Sequence, residues 1–210
     1  MKIAPKTANH YWFNTRLLAA RAGGAALIGL AFAAAPAYAD DPIDLRPIAT
    51  TAVTASTFYF DYDPFYVSDW SGMAGAFPDG VDDTSAWQWS SDGNQDPSLD
   101  WIAWDLGDTY TLSKMHVWND NAYGAGIQTV DIEVSSDGST WTTTAYTNLS
   151  WPDATFTSDY AGFDQVFSTP ITTRYIRFAK LATYGGYGPN YVALDEVVFY
   201  EAPGTGNDIK

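Results

Sequence analysis

Apolar and polar residues alternate through much of residues 101–200, and turn-forming residues interrupt them at short intervals. The clearest run is 127–135, where Val130, Ile132 and Val134 fall on one side and Asp131 and Glu133 on the other. That period of two marks a half-buried strand. Asp137-Gly138 follows it, a dipeptide that supplies the positive backbone dihedrals of a tight hairpin. Residues 101–106 end at Gly107, residues 111–118 carry Leu112, Met115 and Val117, and 141–146, 163–167, 174–179 and 191–200 complete the set. No stretch beyond residue 39 keeps a helical period. Short strands at this spacing predict an all-β sandwich or jelly roll.

The first 39 residues follow a different pattern. Lys2, Lys6, Arg16 and Arg21 precede an apolar run over 22–34, and Ala37-Tyr38-Ala39 puts small residues where a signal peptidase reads. We read residues 1–39 as a signal peptide cleaved after Ala39, which predicts a secreted or periplasmic protein. The apolar run is too short to span a bilayer, so no membrane insertion is expected after cleavage. Residues 40–51 form a lead-in, 52–201 the domain, and 202–210 a polar tail.

Composition narrows the functional classes. Cleavage removes four basic residues and leaves 6 against 25 acidic ones, a net charge of −19. Such a surface repels nucleic acid and anionic lipid. There is no cysteine, which excludes thiol chemistry and means that the core holds without disulfides. His116 is the single histidine beyond the leader, so a two-histidine zinc site is unavailable. No Gly-x-Ser-x-Gly elbow occurs, and a Ser-His-Asp triad has little support. His116 alternates with Met115 and Val117, so it faces away from the core beside Trp118. Asp92-Gly93-Asn94-Gln95-Asp96 superficially suggests an ion loop, but Pro97 and Ala103 stand where an EF-hand needs glycine and an acid. The chain is read as non-catalytic.

Four landmarks occur in order: Asp79-Gly80-Val81-Asp82-Asp83-Thr84-Ser85-Ala86-Trp87; Trp101-Ile102-Ala103-Trp104-Asp105-Leu106-Gly107; Ile132-Glu133-Val134-Ser135-Ser136-Asp137-Gly138-Ser139-Thr140-Trp141; and Thr173-Arg174-Tyr175-Ile176-Arg177-Phe178 followed by Leu194-Asp195-Glu196-Val197-Val198-Phe199-Tyr200. Together they resemble the discoidin, or coagulation-factor type C, family, a galactose-binding-like fold that includes family 32 carbohydrate-binding modules. The resemblance implies an eight-stranded antiparallel jelly-roll β-sandwich with recognition loops at one end. It also implies a structural calcium ion held by the side chains of Asp79, Thr84 and Glu196 and by backbone oxygens of Ala76, Val81 and Asp195. The family spacing puts the threonine two residues before the tryptophan. Here Thr84 lies three before Trp87, so either Thr84 or Ser85 is the expected ligand.

The expected partner is a glycan or polysaccharide, the alternative a surface or matrix protein bound in adhesion, and a polysaccharide-degrading jelly roll a third reading. Aromatic residues at strand ends beside Asn and Asp suit a sugar, whose apolar face stacks while its hydroxyls hydrogen-bond. The candidate ligand residues are Trp118, Asn119, Asn121, Tyr123, Trp70, Trp89, Tyr184 and Tyr187, with Phe65 and Tyr66 in the same segment as Trp70. Trp87, Trp141, Phe178 and Phe199 are read as core. Galactose-binding relatives carry a His after the motif Trp and an Arg and an Asn-Gly in a later loop. This chain has Gln88, Asn119 and Gly124-Ala125 there, so galactose specificity does not carry over.

Overall fold

A computed structural model describes residues 40–45, 52–84 and 87–204. The predicted signal peptide, residues 46–51 of the lead-in, Ser85, Ala86 and residues 205–210 of the tail lie outside the described residues.

The chain is all-β, as expected. Its strands are β1 (Asp41–Pro42), β2 (Val53–Ala55), β3 (Met73–Ala74), β4 (Val81–Asp82), β5 (Trp89–Ser90), β6 (Ile102–Asn119), β7 (Ile127–Ser135), β8 (Thr142–Thr143), β9 (Leu149–Ser150), β10 (Phe163–Thr183) and β11 (Ala193–Glu201). All pairings between them are antiparallel. The central order is β1-β11-β6-β10-β7-β8, with β2 on β6, β5 on β11 and β9 on β7, while β3 and β4 form a separate hairpin.

The strand divisions differ from the sequence reading in one instructive way. Residues 101–106 and 111–118 belong to one strand, β6, and 163–167 and 174–179 to another, β10. Gly107, at φ +83, lets β6 turn without ending. The facing β10 shifts register between Val166 and Ile171. The first half of β6 pairs with β2 and the late part of β10, the second half with β11 and the early part of β10. Two long strands thus carry one hydrogen-bonded sheet over on itself.

The core lies inside that fold. Trp104 from β6 packs on Phe178 from β10 at 4.6 Å and on Phe199 from β11 at 5.4 Å between ring centroids, and Trp151 packs on Phe178 at 5.2 Å. Phe178 and Phe199 are core, as read from sequence. Trp141 is not: it is only partly buried and caps the Arg177 guanidinium at 4.4 Å, with Trp101 at 5.6 Å. Arg177 also binds Glu133, so Trp141 shields a charged pair on the sheet surface. Trp87 is 51% exposed, because the sheet edge resumes only at Trp89.

The Asp137-Gly138 dipeptide makes a turn but not the tight hairpin expected: Gly138 alone of the two has a positive φ, and β7 and β8 rejoin only at Val134 opposite Thr142, leaving residues 135–141 between them. Gly138 sits at φ +71, and Asp137 accepts from Ser139 and Thr140 amides at 2.8 and 2.7 Å. Those amides hold its carboxyl well below the usual range. Arg174 grips Asp105 through two bonds of 2.8 and 2.9 Å and depresses that carboxyl too. A depressed folded pKa adds stability above the ordinary carboxylate value of about 4 and loses it as pH falls through the folded value. Asp105→Asn is therefore expected to lower Tm by a few degrees at pH 7, with the gap to wild type closing by pH 2. Thermal melts at both pH values check this, and an undiminished gap at pH 2 would remove charge from the explanation.

Candidate functional site

One end of the sandwich collects tyrosines from segments far apart in sequence. Residues 56–62 reach it because they are fastened along a line. Ser56 and Thr57 hydroxyls donate to the buried Asp100 carboxylate at 2.9 and 3.1 Å. Trp89 Nε1 donates to the Thr57 carbonyl at 2.9 Å, and the Tyr59 amide donates to Ser90 at 2.9 Å. A 3-10 turn, Pro64–Ser68, then packs under the loop, capped by Asp63 and held where Trp104 Nε1 donates to Ser68 Oγ at 2.8 Å.

The loop after β6 supplies the facing wall. Asp120 is buried, and its carboxylate accepts backbone amides of Ala122 and Tyr123 at 3.0 and 3.1 Å and of Ala125 at 2.5 Å. It folds residues 120–125 around itself and sets Tyr123 outward. The loop before β11 closes on it: the Gly186 amide donates to the Gly124 carbonyl at 2.7 Å. A Cβ on Gly186 would lie 2.7 and 2.8 Å from the Gly124 and Tyr123 carbonyl oxygens, so only glycine permits this approach.

These segments join ring to ring. Tyr123 meets Tyr187 at 5.5 Å and Tyr62 at 6.4 Å; Tyr187 meets Tyr191 at 5.0 Å, and Tyr191 meets Tyr59 at 5.6 Å. Tyr62 and Tyr123 hydroxyls lie 3.4 Å apart. Their mutual hydrogen bond, with burial, raises the Tyr62 phenol to about 12. Between Tyr59, Tyr62, Gln88, Ser90, Tyr123, Ala125 and Tyr187 is a cavity of about 20 Å³, room for about one water. Beside it, Phe60, Asp61, Tyr62, Tyr66 and Trp87 line an open cleft of about 470 Å³, the size of a small-ligand site.

Beneath the rings lies a layer of buried acids. Gln88, with its amide oriented by its neighbours, donates to Asp195 at 3.1 Å and Asp120 at 3.2 Å. The Asn121 amide donates to Asp195 at 2.8 Å. Burial, then repulsion from Asp120 and Asp82, pushes the Asp195 carboxyl far above the carboxylate range. Burial also raises Asp120 and Asp82. Asp82 Oδ2 and Asn121 Oδ1 are buried with no hydrogen-bond partner.

Of the residues proposed from sequence, Tyr123 and Tyr187 come together here, 42% and 54% exposed. The others stand elsewhere. Trp89 and Trp118 are fully buried although they stand at strand ends, Trp89 in the main core and Trp118 in a second cluster with Tyr160, Val198 and Tyr200. Asn119 is buried and braces the turn, with Oδ1 accepting from the Ile127 amide at 2.8 Å and Nδ2 donating to the Ile127 and Pro152 carbonyls at 2.9 and 3.0 Å. Asn121 is buried and donates to the Thr157 carbonyl at 2.8 Å. Trp70 packs on Phe77 and Trp118, both at 5.3 Å, in a second cluster. Tyr184 is half-buried and donates its hydroxyl to the Trp151 carbonyl. Tyr59, Phe60, Tyr62 and Tyr191 were missed, and Trp87 was assigned to the core. The signal available for them was Tyr59-Phe60-Asp61-Tyr62-Asp63, where aromatic residues and acids interleave before a proline with no strand pattern.

The predicted calcium ligands form a looser set. Asp79 is exposed near the tip of the β3–β4 hairpin, its amide donating to the Ala76 carbonyl at 3.0 Å. Val81 lies in β4, and Thr84 is exposed at φ +66. Glu196 is buried in β11, where Oε2 accepts the Trp70 amide at 3.0 Å. Among the described residues, no group of three or more His, Asp or Glu side chains is arranged to hold a metal. His116 has both ring nitrogens engaged, by Asp164 at 2.6 Å and the Ala161 carbonyl at 2.8 Å.

The family model of the F5/8 type C domain matches residues 52–194. Among solved structures, the family 32 carbohydrate-binding module of Clostridium perfringens NanJ, in complex with galactose, is similar over 78% of this chain and 100% of that one, at 17% identity and TM-score 0.53. The module CBM32-3 from a family 31 glycoside hydrolase of Clostridium perfringens is similar over 73% and 93%, at 21% identity and TM-score 0.53. CpGH89CBM32-5 from Clostridium perfringens, in complex with GalNAc-β-1,3-galactose, is similar over 70% and 93%, at 16% identity and TM-score 0.51. At these identities the likeness concerns the fold. No curated protein matches the chain.

The Gly124–Gly186 approach yields a direct check on the site. Gly186→Ala is expected to separate the two loops and weaken the near-ultraviolet circular dichroism of the tyrosine cluster, leaving the far-ultraviolet spectrum unchanged. An unaltered near-ultraviolet spectrum would show that the loops are not locked by this contact.

Proposed function

The chain belongs to the F5/8 type C domain family, and from that premise we propose that its tyrosine-lined end binds carbohydrate. The observation that carries this reading is the set of exposed rings around polar groups: Phe60, Trp87, Tyr123 and Tyr187 over Gln88, with Asp61 beside them. Phe60 is 77% exposed and sits at φ +48. A bulky residue in the left-handed region costs stability, and an exposed ring returns little to the core, so folding gives no reason for it. A sugar stacked on the ring does. The sugars in the NanJ and CpGH89CBM32-5 structures support the class of ligand. With Gln88 where galactose-binding relatives carry histidine, galactose itself has no specific support.

The site is read as binding rather than cleaving. Asp120 is buried and spent on three backbone amides, and His116 is committed on both nitrogens. Export through the segment 1–39 is part of the same reading. A glycan array is the test, with Tyr187→Ala and Phe60→Ala as controls. Both rings are exposed, so both variants should fold, and each is expected to reduce binding at least tenfold. An array without any hit from the folded wild type would overturn the proposal.

Calcium belongs to the reading as a structural ion. Asp79, Thr84 and Glu196, with backbone oxygens of Ala76, Val81 and Asp195, would hold it and fasten the β3–β4 hairpin to β11. The orphaned, buried Oδ2 of Asp82 in that hairpin supports a hard cation nearby, since such ions take oxygen ligands. Calcium is expected to raise Tm by several degrees over chelator in the wild type and to leave Glu196→Gln unmoved. Identical wild-type melts with and without calcium would overturn it.

A further inference from the structure

The rings at the loop end extend well past the cavity that first draws notice. That cavity accepts about one water, so no sugar ring enters it, and a glycan must lie across the outside. There the exposed rings form a row. Trp87 touches Tyr66 at 5.2 Å, and both line the cleft that also contains Phe60 and Tyr62. Tyr62 continues to Tyr123 at 6.4 Å, and Tyr123 to Tyr187 at 5.5 Å. Phe156 extends the row: it is 48% exposed, sits at φ +56, and approaches Gly124 so closely that a Cβ there would lie 3.5 Å from its ring. Phe60 and Phe156 are thus both exposed aromatic residues held in the left-handed region.

Charge selects among polymers. All four described basic side chains are ion-paired away from this end: Lys114 with Asp164, Arg174 with Asp105, Arg177 with Glu133 and Lys180 with Asp131. None lines the cleft or the cavity, where Asp61 is the only charged side chain. A uronate or sulfated sugar would find no cation to pair with and a strongly acidic surface to repel it.

Resting on the carbohydrate reading above, we infer that this ring row binds, across two subsites, the interior of a polysaccharide chain that carries no acidic groups. One subsite is the cleft of Phe60, Tyr66 and Trp87, the other the ledge of Tyr123, Tyr187 and Phe156. Neither is proposed to depend on a chain end, since Phe60, Trp87, Tyr123, Tyr187 and Phe156 are 42–77% exposed and would stack on the flat face of any unit along a chain. Several weak stacking contacts in line add up only when one chain spans them.

The test is isothermal titration of the purified protein with cello-, xylo- and manno-oligosaccharides of one to six units, alongside oligogalacturonates and de-N-acetylated chito-oligosaccharides. In at least one series without acidic groups, affinity should rise tenfold or more between the disaccharide and the hexasaccharide, with one hexasaccharide bound per protein. Trp87→Ala, in the cleft, and Phe156→Ala, on the ledge, should each remove most of that gain. Unchanged melting temperatures confirm that both variants are folded. Affinity that is complete with a monosaccharide, or tighter binding of the oligogalacturonates than of every other series, overturns the inference but leaves carbohydrate binding standing. Failure of every series, together with a blank glycan array, overturns both.

Discussion

Because β6 and β10 pair along most of their length, one backbone ladder serves both layers of the sandwich. Their register, from Phe163 opposite Val117 to Phe178 opposite Ile102, places Trp104 against Phe178 and lets Phe199 of β11 close over it. The core therefore depends on a contact between Trp104 and Phe178, residues 74 positions apart. It also fixes where strands end, and with them the loops that carry the site. A slip of one residue would turn Ile176 and Phe178 to the opposite face and dismantle that arrangement.

The loop end is built by polar groups that the ladder brings within reach. Asp100 fastens residues 56 and 57, Asp120 winds the loop that carries Tyr123, and Gln88 bridges Asp120 to Asp195. Each acid is buried and mostly spent on hydrogen bonds, so its role is to hold backbone. This is costly unless every partner is in place. The return is a stiff frame under rings that are themselves exposed. A rigid, preorganised surface loses little entropy when a ligand settles on it, which suits weak stacking contacts.

The two sides of the molecule divide the charges. The described cations lie on the strands, each against a carboxylate, while the aromatic end has acids and no cation. The net charge of −19 over residues 40–210 is thus unevenly neutralised, and the consequence falls on ligand choice rather than on folding.

Strand periodicity, the Asp137-Gly138 turn and the ordered family motifs were legible because each depends on neighbours a few residues apart. The all-β class and the core positions of Phe178 and Phe199 followed from those alone, as did family membership and an acidic, cysteine-free chain, whereas the connection after β7 is longer than the tight hairpin expected. The site was legible only in part. Tyr123 and Tyr187 stood out beside glycines, but Trp118, Asn119, Asn121 and Trp89 have the same residue types at strand ends and are buried. Local sequence does not show which face of a strand another layer will cover. Trp87 and Trp89 make the point: two positions apart, one is exposed and the other sealed, because β5 pairs with β11 only from Trp89 onward. The joining of Tyr59, Tyr62, Tyr123, Tyr187 and Tyr191 into one surface was decided by tertiary structure, since three separate loops meet there only after β6, β10 and β11 have paired.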